Sequence, residues 1–294
     1  MENIDIDKLT PMMKIYCETK EQYKDCILFY RLGDFYEMFF DDALTASREL
    51  EITLTGKSCG LDERAPMCGI PYHAVEGYLN RLVAKGYKVA ICEQVEDPKT
   101  AKGIVKREVV RIVTPGTNLD TQALDETKNN YIMCIVYIAD RYGVAIADIS
   151  TGDYFVTEVD TERKLLDEIN KYSPAEIICN EAFYMGGVDL DDIKNRQNIC
   201  VSALEAWYFS DDTAVGTLKE HFKIHSLESI GLNDFACGSI AAGSLLKYLY
   251  ETQKNSLAHM TSIHPYVTGK FMIIDSSTTV SYTHLRAHET PEHL

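Results

Sequence analysis

The 294-residue sequence predicts an α/β fold arranged as two domains. Apolar runs of strand length alternate with amphipathic stretches of helical spacing along most of the chain, which is typical of this class. A polar, turn-rich stretch at residues 115–130 separates two such sets of elements. The length suffices for two domains of ordinary size, each with its own hydrophobic core.

The elements of the first set are predicted from apolar spacing and from Gly and Pro residues. Thr10 followed by Pro11 is typical of a helix start, because proline is favoured at the first helical position. The expected order is a helix to about Tyr23, a strand at 26–32, a helix at 39–49, a strand at 51–55 ended by Gly56, a loop through Tyr72, a helix at 73–85, and strands at 87–92 and 108–113. This alternation indicates a small domain with a mixed sheet.

The second set begins with three apolar strands separated by short polar turns, a pattern typical of a meander. The expected order is strands at 131–139, 144–149 and 154–158, a helix at 161–172, a strand at 175–179, a Gly-Gly loop, helices near 213–223 and 235–253, and a last strand at 270–275. These elements predict a second α/β domain, with an irregular segment after Asn255.

The charge is strongly negative overall, at −16, but it is unevenly distributed. Residues 1–120 hold 16 Lys and Arg against 20 Asp and Glu, a net of −4, and residues 121–294 hold 13 against 25, a net of −12. A local cluster at residues 99–111 contains Lys99, Lys102, Lys106, Arg107 and Arg111 against Glu108. Such a cluster can neutralise nucleic-acid phosphates even on an acidic protein, although a solvated basic loop has the same composition.

Composition also indicates a cytoplasmic protein with no membrane partner. No apolar stretch approaches the roughly 20 residues that a bilayer-spanning helix needs. The acidic N-terminus lacks the basic region of a signal peptide. The nine cysteines form no CxxC pair and lie mostly in apolar runs, which favours reduced, buried thiols over disulfides or a zinc site.

Phe35 and Glu37 form the most informative pattern in the chain. If they lie in a strand, their side chains project from the same face, because residues two apart in a strand share a side. A ring can then wedge between stacked bases while the adjacent carboxylate hydrogen-bonds the edge of the disturbed base. The ordinary alternative is a core Phe beside a solvated Glu.

Four segments resemble, in order and spacing, the mismatch-recognition domain of the bacterial MutS family of DNA mismatch-repair proteins. They are FYRLGDFYEMFFDDA at 29–43, MCGIPYHA at 67–74, VAICEQ at 89–94 and VVRIVTPGT at 109–117. The resemblance covers about residues 1–278. It implies a mixed-sheet recognition domain at 1–118, a linker at 119–129, an RNase H-like connector domain at 130–255 and the start of a helical core domain at 256–278.

The last residues, 279–294, depart from the family pattern. The family continues with a basic segment that begins a long core helix, whereas this sequence runs into a histidine-rich tail. We interpret this tail as foreign or frameshifted sequence and expect no function for His284, His288 or His293. The chain as a whole then resembles an N-terminal fragment of the family.

The resemblance implies recognition of mispaired or unpaired bases in duplex DNA, with Phe35 as the wedge and Glu37 as the residue that hydrogen-bonds the base. Arg111 matches the arginine of the family's VVRIVTPGT segment and is expected on the DNA side. Further phosphate contacts are expected, from charge and loop placement, at Lys57, Arg64, Lys102, Lys106 and Arg107. Gly69–Pro71 and Tyr72 are expected to form a turn, either purely structural or supporting the wedge.

The resemblance also implies partners and excludes one activity. In the family the connector helps to bind the repair protein MutL, and the acidic residues 121–294 suit a protein surface better than DNA. A homodimer is expected only for the full-length protein. ATP and Mg²⁺ bind in C-terminal regions of the family, and no GxxxxGK[ST] phosphate loop occurs here. We therefore expect neither ATP hydrolysis nor a cofactor in this chain.

Two other chemistries stay open as alternatives. Asp148, Asp153 and Glu158 lie on or near the first strands of the second domain, where RNase H-like nucleases collect acids for two metal ions, although the family's connector is not catalytic. His221 and His225 have a metal-compatible helical spacing, but no third ligand is close in sequence, which favours a packed or solvated pair.

Overall fold

The computed structural model describes residues 5–96, 103–118, 129–186, 188–196, 198–254 and 257–268. These residues divide into two compact units, each built around a six-stranded sheet. The first unit takes the residues up to Asn130 together with Tyr248–Leu257, and the second takes Tyr131–Lys247 and the residues from Ala258. Both units combine helices with a mixed sheet, which confirms the predicted α/β class.

The first unit contains three complete α-helices and six strands within its described residues. They are α1 Pro11–Gln22, β1 Cys26–Leu32, β2 Phe35–Phe39, α2 Phe40–Leu50, β3 Thr55–Lys57, β4 Ala65–Pro71, α3 Val75–Val83, β5 Lys88–Gln94 and β6 Arg107–Val113. The sheet order is β3-β4-β2-β1-β5-β6, and β1 pairs with β5 in parallel while the other pairs are antiparallel. The predicted mixed sheet is therefore confirmed.

Both faces of this sheet are buried near its centre. Ile27 and Phe29 of β1 pack on one face with residues of α2 and α3, and Leu28 and Tyr30 pack on the other face with residues of α1. The alternation follows from the two-residue period of a strand. β1 is therefore apolar at consecutive positions, because helices cover both faces of the sheet.

Two predictions in this unit are wrong. Residues 52–54 form no strand, because the chain leaves α2 through a left-handed Glu51 (φ 57°), and β3 lies further along, with Gly56 inside it. The expected loop through Gly69 to Pro71 is the strand β4, which pairs with both β2 and β3. Its Gly and Pro content predicts a turn locally, but pairing with two neighbouring strands determines its conformation.

The second unit begins with the predicted antiparallel meander. Its elements are β7 Tyr131–Ile138, β8 Arg141–Asp148, β9 Asp153–Val159, α4 Glu162–Tyr172, β10 Glu176–Cys179, α5 Glu181–Met185, α6 Leu190–Arg196, β11 Cys200–Ala203, α7 Asp211–Phe222, α8 Ala236–Gln253, whose residues from Tyr248 are assigned to the first unit, and β12 His264–Pro265. The sheet order is β11-β10-β7-β8-β9-β12, with β10 parallel to β7 and β11. The short elements α5, α6, β11 and β12 carry too few periodic residues to be predicted from sequence. The predicted strand at 270–275 and the tail at 279–294 lie outside the described residues.

Candidate nucleic-acid interface

The motif that contains Phe35 is a tight hairpin between β1 and β2. Leu32 and Phe35 are the closing pair, so Gly33 and Asp34 form a two-residue loop. Gly33 has a φ of +58°, a left-handed conformation that glycine adopts without strain. The backbone N–H of Tyr72 donates to the Asp34 carbonyl at 2.9 Å. The loop is therefore fixed both by its own geometry and by the end of β4.

Strand alternation places Phe35 and Glu37 on one face of the sheet. Tyr36 and Met38 point into the core on the opposite face, where they are 4% and 0% exposed. Phe35 is 47% exposed, because it lies at the end of the strand beyond the residues that α1 covers. A large apolar ring is thus presented to solvent on a short, well-anchored strand.

Glu37 is held by a lysine from a strand two places away in the sheet. Its Oε2 lies 2.6 Å from Nζ of Lys57, and the two side chains are 16% and 34% exposed respectively. The ammonium of Lys57 also lies 5.5 Å from the centre of the Phe39 ring. Between the two strands, Gly69 pairs with Glu37, and a Cβ there would lie 3.6 Å from Cγ of Glu37. Lys57, predicted as a phosphate contact, is therefore ion-paired with Glu37 in this structure.

Arg31 was not singled out by sequence reasoning, yet it braces the hairpin tip. Its Nε donates to the Gly33 carbonyl at 2.5 Å, and its guanidinium lies 3.7 Å from the centre of the exposed Tyr72 ring. Its Nη1 lies 3.7 Å from a carboxylate oxygen of Glu93, which also accepts a hydrogen bond from the Tyr36 hydroxyl. Burial, and then this hydrogen bond, raise the pKa of Tyr36. The sequence does carry a signal for this role of Arg31. A charged residue stands at the end of an apolar strand, two residues before a loop glycine.

Arg107 and Arg111 on β6 are engaged with backbone carbonyls. Arg107 donates to the carbonyls of Arg31 and Val105, at 2.7 Å each, so it lies next to the β1–β2 hairpin. Arg111 donates to the Thr117 carbonyl at 3.4 Å, and burial lowers the pKa of its guanidinium. Both guanidinium groups thus already donate hydrogen bonds within the protein, and their predicted DNA-side roles stay predictions.

The remaining predicted cations are exposed. Lys106 forms an ion pair with Glu108 at 2.6 Å, with side chains 68% and 54% exposed. Arg64 is exposed and lies against Gly56, and within the described part of the chain it has no ion-pair partner. Lys102 lies outside the described residues. Arg107 thus lies beside the hairpin at Arg31, and Arg64 lies beside β3 at Gly56.

Two of the three acids of the nuclease alternative, Asp148 and Glu158, have structural partners. Asp148 accepts hydrogen bonds from the backbone N–H and the hydroxyl of Ser150, at 2.8 and 2.6 Å. Glu158 accepts from the backbone N–H of Gly238 in the first turn of α8, at 2.9 Å. Across the described ranges, no three His, Cys, Asp or Glu side chains are arranged to hold a metal ion. The ring Nε2 of His221 lies 2.7 Å from the Met260 carbonyl, as expected for a packed histidine.

Comparison with known proteins matches both units. The model of MutS domain I matches residues 10–122, and the model of MutS domain II matches residues 130–261. The DNA mismatch repair protein MutS of Lachnoclostridium phytofermentans is 67% identical over 92% of this chain and 29% of its own length. Those of Ruminiclostridium cellulolyticum and Clostridioides difficile are 52% and 48% identical, over 92% and 94% of this chain and 31% and 28% of their own lengths.

These matches follow the same order along two α/β units, and the relatives that share them are named as DNA mismatch repair proteins. The chain belongs to the MutS family, of which it carries domains I and II. It spans about three tenths of the length of these curated relatives. No helix in the part of the chain that the structure describes is both long and apolar enough to cross a membrane.

Proposed function

We propose that this chain recognises mispaired or unpaired bases in duplex DNA, with Phe35 as an inserted wedge and Glu37 as the hydrogen-bonding partner of the displaced base. The observation that carries this proposal is the half-exposed ring of Phe35 beside a carboxylate, on one face of a hairpin braced by Arg31 and Tyr72. Membership of the MutS family supports the same function.

The energetics of unstacking explain why such a wedge selects mismatches. Inserting a side chain between base steps costs a few kcal/mol per step, roughly, and the cost is smaller where a base is mispaired or unpaired. The wedge therefore measures how easily the site deforms, and it needs no contact that depends on one particular base. A single Phe can thus accept many different mispairs.

The carboxylate adds a penalty against normal duplex. In a mismatched site, Glu37 gains a hydrogen bond to the displaced base, which offsets the repulsion between its charge and the nearby phosphates. In a matched duplex there is no displaced base, so Glu37 gains no such hydrogen bond there. Positive side chains of residues 1–118 supply the general attraction to DNA, and we assign this role to Arg64, Lys102, Lys106, Arg107 and Arg111.

The experiment measures binding of the purified chain to two fluorescent duplexes that differ only by a G·T mispair, at matched low salt. The wild type should bind the mismatched duplex more tightly, and Phe35→Ala should bind both duplexes equally. Leu44→Ala, which removes another side chain that is 47% exposed in the same unit, should keep the preference. An unchanged preference in Phe35→Ala, or no preference in the wild type, overturns the proposal.

A second proposed function is docking of a MutL-type repair partner by the second unit. The acidic balance of residues 121–294, 13 basic against 25 acidic side chains, supports it, as does the exposure of Met185 (75%) and Trp207 (42%). The test is capture of a purified MutL-type protein by the immobilised chain over a salt series. Capture that Met185→Glu weakens and Phe35→Ala leaves intact supports the docking role, and absence of capture at low salt contradicts it.

We further propose that DNA binding by this chain requires neither ATP nor a metal ion. The sequence has no GxxxxGK[ST] loop, and the candidate interface consists of aromatic, acidic and basic side chains only. Mismatch binding should be the same with EDTA as with Mg²⁺ and ATP, and phosphate release from ATP should not exceed the buffer blank. A requirement for either ligand contradicts this proposal.

A further inference from the structure

The ion pair between Lys57 and Glu37 conflicts with the role of Glu37 as a base-binding residue. The carboxylate that should contact a displaced base is already bound, at 2.6 Å, by a lysine ammonium. Both side chains are largely covered, so the pair is more strongly coupled than a solvent-exposed one. Contact between Glu37 and a base therefore requires at least partial release of Lys57.

We propose, on the basis of the function proposed above, that Lys57 determines specificity by exchanging between Glu37 and a DNA phosphate. On a matched duplex, Lys57 stays on Glu37, because releasing it would leave an unpaired carboxylate among phosphates. On a mismatched duplex, the displaced base supplies a hydrogen bond to Glu37, and the freed ammonium binds the backbone. The mismatch complex thus gains one phosphate contact that the matched complex lacks.

The local geometry suits such an exchange. Lys57 is the last residue of β3, a strand of only three residues at the edge of the sheet, so its side chain has solvent on one side. Its ammonium lies 5.5 Å from the centre of the Phe39 ring, and Gly69, which pairs with Glu37 on the strand between them, carries no side chain. The ammonium can therefore turn from the carboxylate towards a phosphate by rotation of its own side chain, while β2 and Glu37 stay in place.

The exchange predicts a difference in salt dependence. The slope of log K against log[salt] changes by about 0.9 for each phosphate that a protein neutralises on B-form DNA. The wild-type chain should therefore show a slope about 0.9 steeper on G·T-mismatched duplex than on matched duplex. No such difference is expected if Lys57 contacts the same group in both complexes.

Three variants of the 294-residue chain test the mechanism. Lys57→Gln should reduce the mismatch slope to that of the matched duplex. Glu37→Gln should raise the matched slope to that of the mismatched duplex, because Lys57 is then free in both complexes. Lys57→Arg should retain the difference, which shows that a cation at this position suffices and that the site still folds.

The matched control is Lys85→Gln. Lys85 also binds a glutamate, Glu49, at 3.0 Å, but it follows α3 and lies away from the hairpin face. This variant should behave as the wild type, and thermal melting should show that every variant is folded. A slope difference that persists in Lys57→Gln, or an unchanged matched slope in Glu37→Gln, overturns the exchange.

The outcomes for the two proposals are separable. If the wild type prefers mismatched duplex but has equal slopes on both duplexes, the exchange is wrong and the proposed function stands. If the wild type has no preference for mismatched duplex, the proposed function fails, and the exchange fails with it. Equal loss of affinity on both duplexes in Lys57→Gln, with the slope difference kept, identifies Lys57 as an ordinary structural contact and rejects the exchange.

Discussion

The two units each contain a hairpin with a two-residue loop and an exposed apolar residue at its tip, and only one of them resembles a DNA-reading element. In the first unit, Gly33 and Asp34 join β1 to β2, and Phe35 is 47% exposed. In the second unit, Ala139 and Asp140 join β7 to β8, and Ile138 is 39% exposed. Backbone geometry and exposure alone therefore do not distinguish a candidate wedge.

The difference lies in the side chains around each tip. Arg31 braces the first tip, and Lys57 neutralises the carboxylate beside Phe35. At the second tip, the Tyr137 hydroxyl donates to Asp140, and Arg141 lies 3.6 Å from Glu158. An aromatic ring beside a lysine-bound carboxylate and a turn braced by an arginine suits a stack of bases between phosphates, whereas an aliphatic side chain beside an aspartate does not.

The largest expected effect comes from making the first tip resemble the second. Phe35→Ile keeps an apolar, strand-compatible side chain but removes the flat ring that can stack on a base. Because stacking of a base on an aromatic side chain is worth about 1–3 kcal/mol, affinity for a mismatched duplex should fall about tenfold or more. Anisotropy titrations of both duplexes provide the measurement.

The complementary substitution in the second hairpin serves as its control. Ile138→Phe places a ring on a similar hairpin whose neighbouring Arg141 is paired with Glu158, and it should leave mismatch affinity unchanged. If Ile138→Phe increased the preference for mismatched duplex, an exposed ring on a hairpin would be sufficient for that preference. The side chains around Phe35 would then not be needed for mismatch recognition.

A smaller effect is expected from removing the arginine beside each tip, and it should appear in the free energy of unfolding. Arg31→Ala removes a largely covered guanidinium that binds the Gly33 carbonyl and stacks on Tyr72, and hydrogen bonds to charged groups contribute about 1.5–3 kcal/mol. Unfolding of the first unit in urea should shift by a comparable amount, and mismatch preference should weaken. Arg141→Ala, whose side chain is 64% exposed in a surface ion pair, should change stability by less than about 0.5 kcal/mol. Equal effects in the two variants would contradict a bracing role for Arg31.

The sequence predicted the long, periodic elements and the two residues of the tip. The runs at 26–32 and 131–139 match β1 and β7 closely, because each is an apolar strand long enough for its composition to be informative. Phe35 and Glu37 share a face as expected from a two-residue period. These predictions depend only on local order along the chain.

The sequence failed where partners distant along the chain determine the structure. β4 contains two prolines and a glycine, and it is a strand only because β2 and β3 pair with it. The ion pair of Lys57 could not be predicted, since no local pattern shows that a residue twenty positions after Glu37 reaches its carboxylate. The bracing role of Arg31 depends in the same way on Tyr72 and Glu93, which belong to other strands and turns.

The smallest expected effect concerns the loops themselves, and its sign should be opposite in the two hairpins. Gly33 has a φ of +58° and Ala139 a φ of +48°, so both occupy the left-handed region that disfavours residues with a Cβ. Gly33→Ala should therefore destabilise its unit by about 1 kcal/mol, although a Cβ there would meet no atom within 4 Å. Ala139→Gly should relieve the same strain, and its gain should be smaller, at about 0.5 kcal/mol, because glycine also makes the unfolded chain more flexible.

Urea denaturation of both variants, followed by a probe in each unit, provides the measurement. Destabilisation by Ala139→Gly would mean that the Ala139 side chain makes contacts worth more than its backbone strain. Because Gly33→Ala adds a methyl group in open space and leaves Phe35, Glu37 and their partners unchanged, it also separates backbone strain from DNA contact. If Gly33→Ala loses more mismatch preference than its loss of stability explains, the position of the Phe35 ring depends on the backbone path of the loop. The contacts of Arg31 with the Gly33 carbonyl and the Tyr72 ring imply such a dependence.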